Sequence, residues 1–137
     1  TESVFQGNTA AEAPLFHFQS GSALIRECSI RDNSALGAPL VEATTHGSCV
    51  LAGSDICGNV ADEPLLHAVN AAITLTRSTL SGNDVPVTAR ATGTGRVSVD
   101  NSIIQRSGRL SDTTRVSIRY SLADSCRFDV HVDAPVR

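Results

Sequence analysis

His17, Glu42 and His67 recur at steps of 25 residues, each three positions after a proline. Two imidazoles flanking a carboxylate are groups that bind a metal or relay protons, because histidine titrates near neutrality and a glutamate can orient it. The same three residues placed side by side on a solvated face form a ladder of opposite charges. A metal site takes at least three protein ligands, and the next position in the series is Ala89 or Arg90. The charge ladder is therefore the favoured reading, and His17, Glu42 and His67 remain the candidate metal ligands.

A second group is cationic. Arg90, Arg96, Arg115 and Arg119 lie in the C-terminal half, with Arg77 and Arg106 nearby. Guanidinium forks match carboxylates and sulfates in bidentate fashion, so these four are the candidate contacts for an acidic polysaccharide or surface glycan. Asp100 and Asp124 belong to the same stretch, and mutual screening of exposed charge is the favoured account of the cluster. The charge is unevenly distributed. Residues 1–70 hold two Arg against eight Asp and Glu, and residues 71–137 hold nine Arg against six. Such a dipole steers an anionic partner toward the C-terminal half.

What positions these groups is a repeat. The segments SVFQGNTA, CSIRDNSA, SDICGNVA and STLSGNDV begin at Ser3, Cys28, Ser54 and Ser78, in steps of 25, 26 and 24. Degenerate copies put Ser102 and Ser121 in the same column. Pro14, Pro39, Pro64 and Pro86 each open an apolar stretch. Before each Ser column stands a pair of apolar residues spaced by two: Ala23/Ile25, Cys49/Leu51, Ile73/Leu75, Val97/Val99 and Val116/Ile118. Alternation with period two over such short runs indicates strands, with Gly, Asn, Asp and Ser at the turns.

Three short strands and three corners per repeat are too little to bury an apolar face alone. Stacking successive repeats about 4.8 Å apart lets equivalent strands pair in parallel. The predicted fold is all-β, a right-handed parallel β-helix of about five or six coils. Asn8, Asn33, Asn59 and Asn83 share an offset of five from the Ser or Cys column. Asn tolerates the left-handed backbone of a sharp corner, and its amide both donates and accepts, so these four are predicted to form a ladder.

Apolar residues make up 41% of the 137, yet there are four Phe, one Tyr, no Trp and no Met, so the core must be aliphatic. The length suits one domain: coils over residues 1–123, and a degenerate coil or capping strand over 124–137, with a strand around Phe128 to Val132. Cys28, Cys49, Cys57 and Cys126 lack metal-site spacing, and Cys28 and Cys49 fall in columns of small buried residues. No uninterrupted apolar run is long enough for a membrane-spanning helix. No cofactor and no nucleic acid is expected.

The strings SGSALIRECSIRDN (20–33) and TGTGRVSVDNSIIQ (92–105) resemble coils of bacterial pectin-lyase-like β-helix proteins. That group includes large secreted proteins with cell-surface anchoring regions and outer-membrane passengers with F-x-x-N repeats, which Phe5 to Asn8 echoes. The resemblance covers roughly residues 1–123 and implies the fold. The usual Gly-Gly-Gly before the third strand is here Ala-Pro or Glu-Pro. Coils of this kind serve adhesins, carbohydrate-active enzymes and phage tail proteins alike.

Enzymes on this fold spread several carboxylates over consecutive coils. Here Asp32 aligns with Gly7, Gly58 and Gly82, and Asp55 with Val4, Ser29, Thr79 and Ile103, so each acid is isolated. A non-catalytic structural or adhesive segment of a secreted or cell-surface protein is the leading expectation. The alternative is a polysaccharide lyase or glycoside hydrolase whose active residues lie partly outside this chain. Leu24 and Val50 are expected to face outward as a small aliphatic patch. Thr1 enters directly into a repeat, so the chain reads as a piece of a longer solenoid, or as one whose end coils are covered by self-association or by a partner chain.

Overall fold

A computed structural model describes residues 2–111, 115–119 and 122–124. Among them every regular element is a strand. The strands form four sheets, and in each the hydrogen-bonded neighbours are one repeat apart in sequence and parallel. The chain thus winds as a β-solenoid of about four turns.

The first sheet begins with Ser3–Gln6, Cys28–Arg31 and Asp55–Cys57 and holds six strands. A five-stranded sheet contains Phe16–Gln19, Val41–Thr44, Leu66–Val69 and Val87–Thr92. The other five-stranded sheet runs through Ser22–Arg26, Ser48–Ala52, Ala72–Thr76, Arg96–Asp100 and Val116–Arg119. Its register places Ala23, Cys49, Ile73, Val97 and Val116 in one file, and Ile25, Leu51, Leu75, Val99 and Ile118 in another. These are the apolar pairs expected to face inward. From the second coil onward they are buried in a single continuous core.

Two features differ from the sequence reading. The first three coils carry a fourth strand, Thr9–Ala11, Ser34–Leu36 and Val60–Ala61, which makes a three-stranded sheet. It is two or three residues long, too short to show alternation, and a proline without an N–H to donate follows it each time. Among the described residues the count is also slightly lower than five or six coils, at about four turns. The step shortens to 19 residues between Val97 and Val116 and between Ile103 and Leu122, so the last turn is contracted.

The corners place their strain one residue away from where it was expected. Gly7, Asp32, Gly58 and Gly82, each immediately before a ladder asparagine, take the left-handed backbone, with φ between 55° and 67°. The asparagines themselves do not. The column before the Ser ladder behaves alike, with Glu27, Gly53, Arg77 and Asn101 at φ between 48° and 58°. Asn and Asp accept a positive φ readily, whereas Glu27 and Arg77 are strained there. Here the ladder that follows each such residue holds the backbone in place.

The Asn ladder is continuous through the core. The backbone N–H and side-chain Nδ2 of Asn8 both donate to Asn33 Oδ1 at 3.0 Å. Asn33 makes the same pair of bonds to Asn59 Oδ1, and Asn59 to Asn83 Oδ1. The second Nδ2 hydrogen of Asn33, Asn59 and Asn83 goes to the carbonyl of Phe5, Ile30 and Ile56 respectively, at 2.9 Å. The file ends on Ser107, whose Oγ lies 3.1 Å from Asn83 Nδ2.

A second ladder runs through the Ser column. Ser54, Ser78 and Ser102 each accept on Oγ the backbone N–H of the residue one coil earlier, Cys28, Ser54 and Ser78, at 3.1 to 3.3 Å. Each hydroxyl also donates to the carbonyl two residues before it. Cys28 makes the corresponding S–H contact to Arg26 O at 3.2 Å. A thiol therefore substitutes for the hydroxyl in this column with its donor still placed.

Candidate functional site

In a solenoid any site must be assembled from outward residues of neighbouring coils. Two of the sheets carry the candidates. On the sheet that begins with Phe16–Gln19, the register puts His17, Glu42, His67 and Arg90 in one file. Glu42 Oε2 lies 3.7 Å from His17 Nε2, and its Oε1 lies 3.5 Å from His67 Nδ1. Two threonine hydroxyls bracket the file diagonally. Thr44 Oγ1 is 3.1 Å from His17 Nε2, and Thr92 Oγ1 is 3.3 Å from His67 Nε2. Neither Thr44 nor Thr92 was singled out in the sequence. Their signal was a position two residues beyond Glu42 and Arg90 on the same face, a diagonal neighbour across the pair.

Side by side is not the same as convergent. His17 and His67 are two strands apart, at about twice the 4.8 Å spacing. Donors sharing one zinc ion at bond lengths of about 2 Å lie within roughly 4 Å of one another. The strand spacing is between backbones, and the two imidazoles meet Glu42 through different carboxylate oxygens. No group of three or more His, Cys, Asp or Glu among the described residues is placed to hold a metal. What the file makes is a stacked ladder in which one carboxylate faces two imidazoles.

The arginines divide between two sheets. Arg90 stands in the file just described, and its Nη1 lies 3.2 Å from Glu63 Oε2. Arg96, Arg115 and Arg119 belong to the neighbouring sheet and line one open depression of about 280 Å³ with Ser98, Asp100 and Ser117. Sequence proximity concealed this split. Only the turn around Gly93 and Gly95 separates Arg90 from Arg96, yet it passes the chain from one sheet to the next. Arg77 and Arg106, also nearby in sequence, sit at corners with left-handed backbones. Arg106 faces a different depression, with Gly58, Ser81, Gly82 and Gln105.

Within the three-arginine depression the register sets the spacing. Ser98 pairs with Ser117, and Asp100 with Arg119. Arg115 precedes Val116 as Arg96 precedes Val97, and Val97 N donates to Arg115 O at 3.2 Å. The surface therefore carries two guanidinium groups at one edge, two hydroxyls in the middle, and a carboxylate beside a guanidinium at the other edge. The equivalent positions in earlier coils are Ser22, Ser48 and Ala72 at the first edge, and Leu24, Val50 and Thr74 in the middle. Along the solenoid axis the first edge thus passes from small residues to arginine, and the middle from aliphatic residues to hydroxyls. Leu24 is 63% exposed, and its register partner Val50 is half-buried.

The cysteines offer little chemistry. Burial pushes the Cys49 thiol up to about 12. Burial, followed by the Asp55 and Asp32 carboxylates, also raises the Cys57 thiol, against the opposing Arg31 charge. A thiol held protonated is a poor nucleophile. Cys28, Cys49 and Cys57 are all free. Cys126 and the strand expected at Phe128 to Val132 lie outside the described residues, as does Ser121. No helix among the described residues is long and apolar enough to cross a membrane.

Compared with known proteins, the chain matches no family model, and no curated protein is similar to it.

Proposed function

We propose that the chain is a non-catalytic, adhesive β-solenoid segment of a secreted or cell-surface protein that contacts acidic glycans through Arg96, Arg115 and Arg119. The observation that carries this reading is the open depression those three arginines share with Ser98 and Ser117. Guanidinium groups supply charge-assisted bonds to carboxylate or sulfate, and hydroxyls supply partners for sugar hydroxyls. The resemblance of the coils to bacterial pectin-lyase-like solenoids supports a surface setting. Among the described residues Asp100 is the only carboxylate lining the depression. Cleavage of a glycosidic bond by acid–base hydrolysis takes a pair.

The test is binding to a panel of acidic polysaccharides, followed by an assay for their degradation. Binding without turnover is expected, weakened about tenfold by Arg96→Ala or Arg115→Ala and further by salt, since exposed charges are screened. Turnover abolished by either substitution would replace this reading with that of a polysaccharide lyase or hydrolase.

A further inference from the structure

Resting on that reading, the geometry of the two stacked arginines narrows the ligand. Arg96 opens its strand and Arg115 stands immediately before the next, joined where Val97 N donates to Arg115 O at 3.2 Å, so the two residues are neighbours across successive coils. Like charges directly opposite on paired strands repel. Among the described residues neither has an ion-pair partner. Asp100 stands across the register from Arg119, so the opposite edge carries both signs. The uncompensated positive charge of the depression is therefore concentrated at the Arg96 and Arg115 edge.

A single guanidinium fork is filled by the two oxygens of a carboxylate. Two forks stacked side by side present more donors than a carboxylate can accept without sharing an oxygen. A sulfate half-ester carries the same single charge but spreads it over three terminal oxygens at tetrahedral angles. It can meet one fork with two oxygens and turn the third toward the other. We infer that this edge is a sulfate-ester subsite, and that the glycans it prefers are sulfated rather than uronic. The hydroxyls of Ser98 and Ser117 lie next along the strands, about 7 Å away, where the sugar bearing the ester would rest.

Dextran sulfate and carboxymethyl dextran of matched charge density share one backbone and differ in the anion alone, with unmodified dextran as the blank. The full chain is expected to bind dextran sulfate at least about tenfold more tightly than carboxymethyl dextran. In the Arg96→Lys/Arg115→Lys double variant both charges remain and the forks are gone. It should still bind both polymers, with the preference reduced to within about threefold, and circular dichroism should show the fold intact. Equal binding of the two polymers by the unaltered chain would overturn the sulfate subsite and leave the glycan-contacting reading standing. A preference that survives in the lysine variant would overturn the assignment to these two arginines. Failure to bind either polymer would overturn the subsite and that broader reading together.

Discussion

Asn59 donates its backbone N–H and its side-chain Nδ2–H to one oxygen, Asn83 Oδ1, at 3.0 and 2.9 Å. One residue thereby ties a backbone corner and a side chain to the next coil at a single point. Asn59 also receives the same two bonds from Asn33 and is fully buried. Asn59→Ala would leave both Asn33 donors and the Ile30 carbonyl without their partner. Buried unsatisfied groups cost about 1–3 kcal/mol each, so the expected loss is about 3 kcal/mol or more in urea unfolding. Asn8, exposed at the first coil, offers the control: Asn8→Ala should cost about 1 kcal/mol or less. Equal losses at the two positions would mean that the file does not act through burial.

The Ser ladder predicts an order of tolerance. Ser78→Ala removes the acceptor for Ser54 N–H and should destabilise by about 1–3 kcal/mol. Ser78→Cys should cost less, because sulfur keeps a weak acceptor for Ser54 N–H and Cys28 shows a thiol in that column donating to the carbonyl two residues earlier. Chemical denaturation of the two variants side by side measures the difference. If alanine proves the milder change, the hydroxyl is not the acceptor that the ladder requires.

Alkaline unfolding should report Cys49. Its folded-state thiol is raised to about 12, above the ordinary value of 9.0, so the unfolded chain releases this proton first. The sign follows: the stabilisation is fully present below pH 9.0 and is lost as pH rises toward 12. At about 1.4 kcal/mol per pH unit, the native chain should lose on the order of 2–3 kcal/mol more than Cys49→Ala between pH 9 and 11. Parallel slopes for the two proteins would show that the thiol is not held protonated.

Zinc should leave the melting temperature unchanged, since no group of three or more His, Cys, Asp or Glu among the described residues is placed to hold a metal. Glu42→Gln should alter stability by less than about 1 kcal/mol, as partly exposed ion pairs do. A zinc-dependent rise in melting temperature that Glu42→Gln abolishes would mean that the file rearranges to bind metal.

Gly95 and Gly47 close equivalent corners, and both are crowded by backbone. A Cβ on Gly95 would collide with Ala68 O, and one on Gly47 would meet Phe18 O at 2.8 Å. Gly95→Ala therefore requires the backbone to move and should cost about 1–3 kcal/mol in thermal or urea unfolding. A neutral outcome would show that this corner opens freely.

The parts of the structure legible in the sequence are those that repeat. Asn8, Asn33 and Asn59 each make the same pair of bonds to the asparagine of the next coil, so each coil has the same use for the same residue type. The inward pairs such as Ile73/Leu75 repeat because they share one core. The two-residue strand Val60–Ala61 left no pattern to read, because alternation needs more positions than it has. The left-handed residues stand one before the asparagines, and Gly7, Gly58 and Gly82 announce that corner while Asp32 in the same column does not. Arg90 and Arg96 are close in sequence yet lie in different sheets, because closeness along a chain says nothing about which side of a corner each occupies. The ion pair between Arg90 and Glu63 joins residues 27 apart and off the main register, so no column announced it.

The bonds between turns run parallel to the solenoid axis, and each turn is fastened only to its immediate neighbours. Traction along that axis therefore loads a single layer at a time, and the layers part in sequence rather than all together. Each of the longer turns, of 24 to 26 residues, would release on the order of 80–90 Å of slack at about 3.3–3.6 Å per residue. A stack of this construction yields under tension in discrete increments and so absorbs mechanical work before it fails.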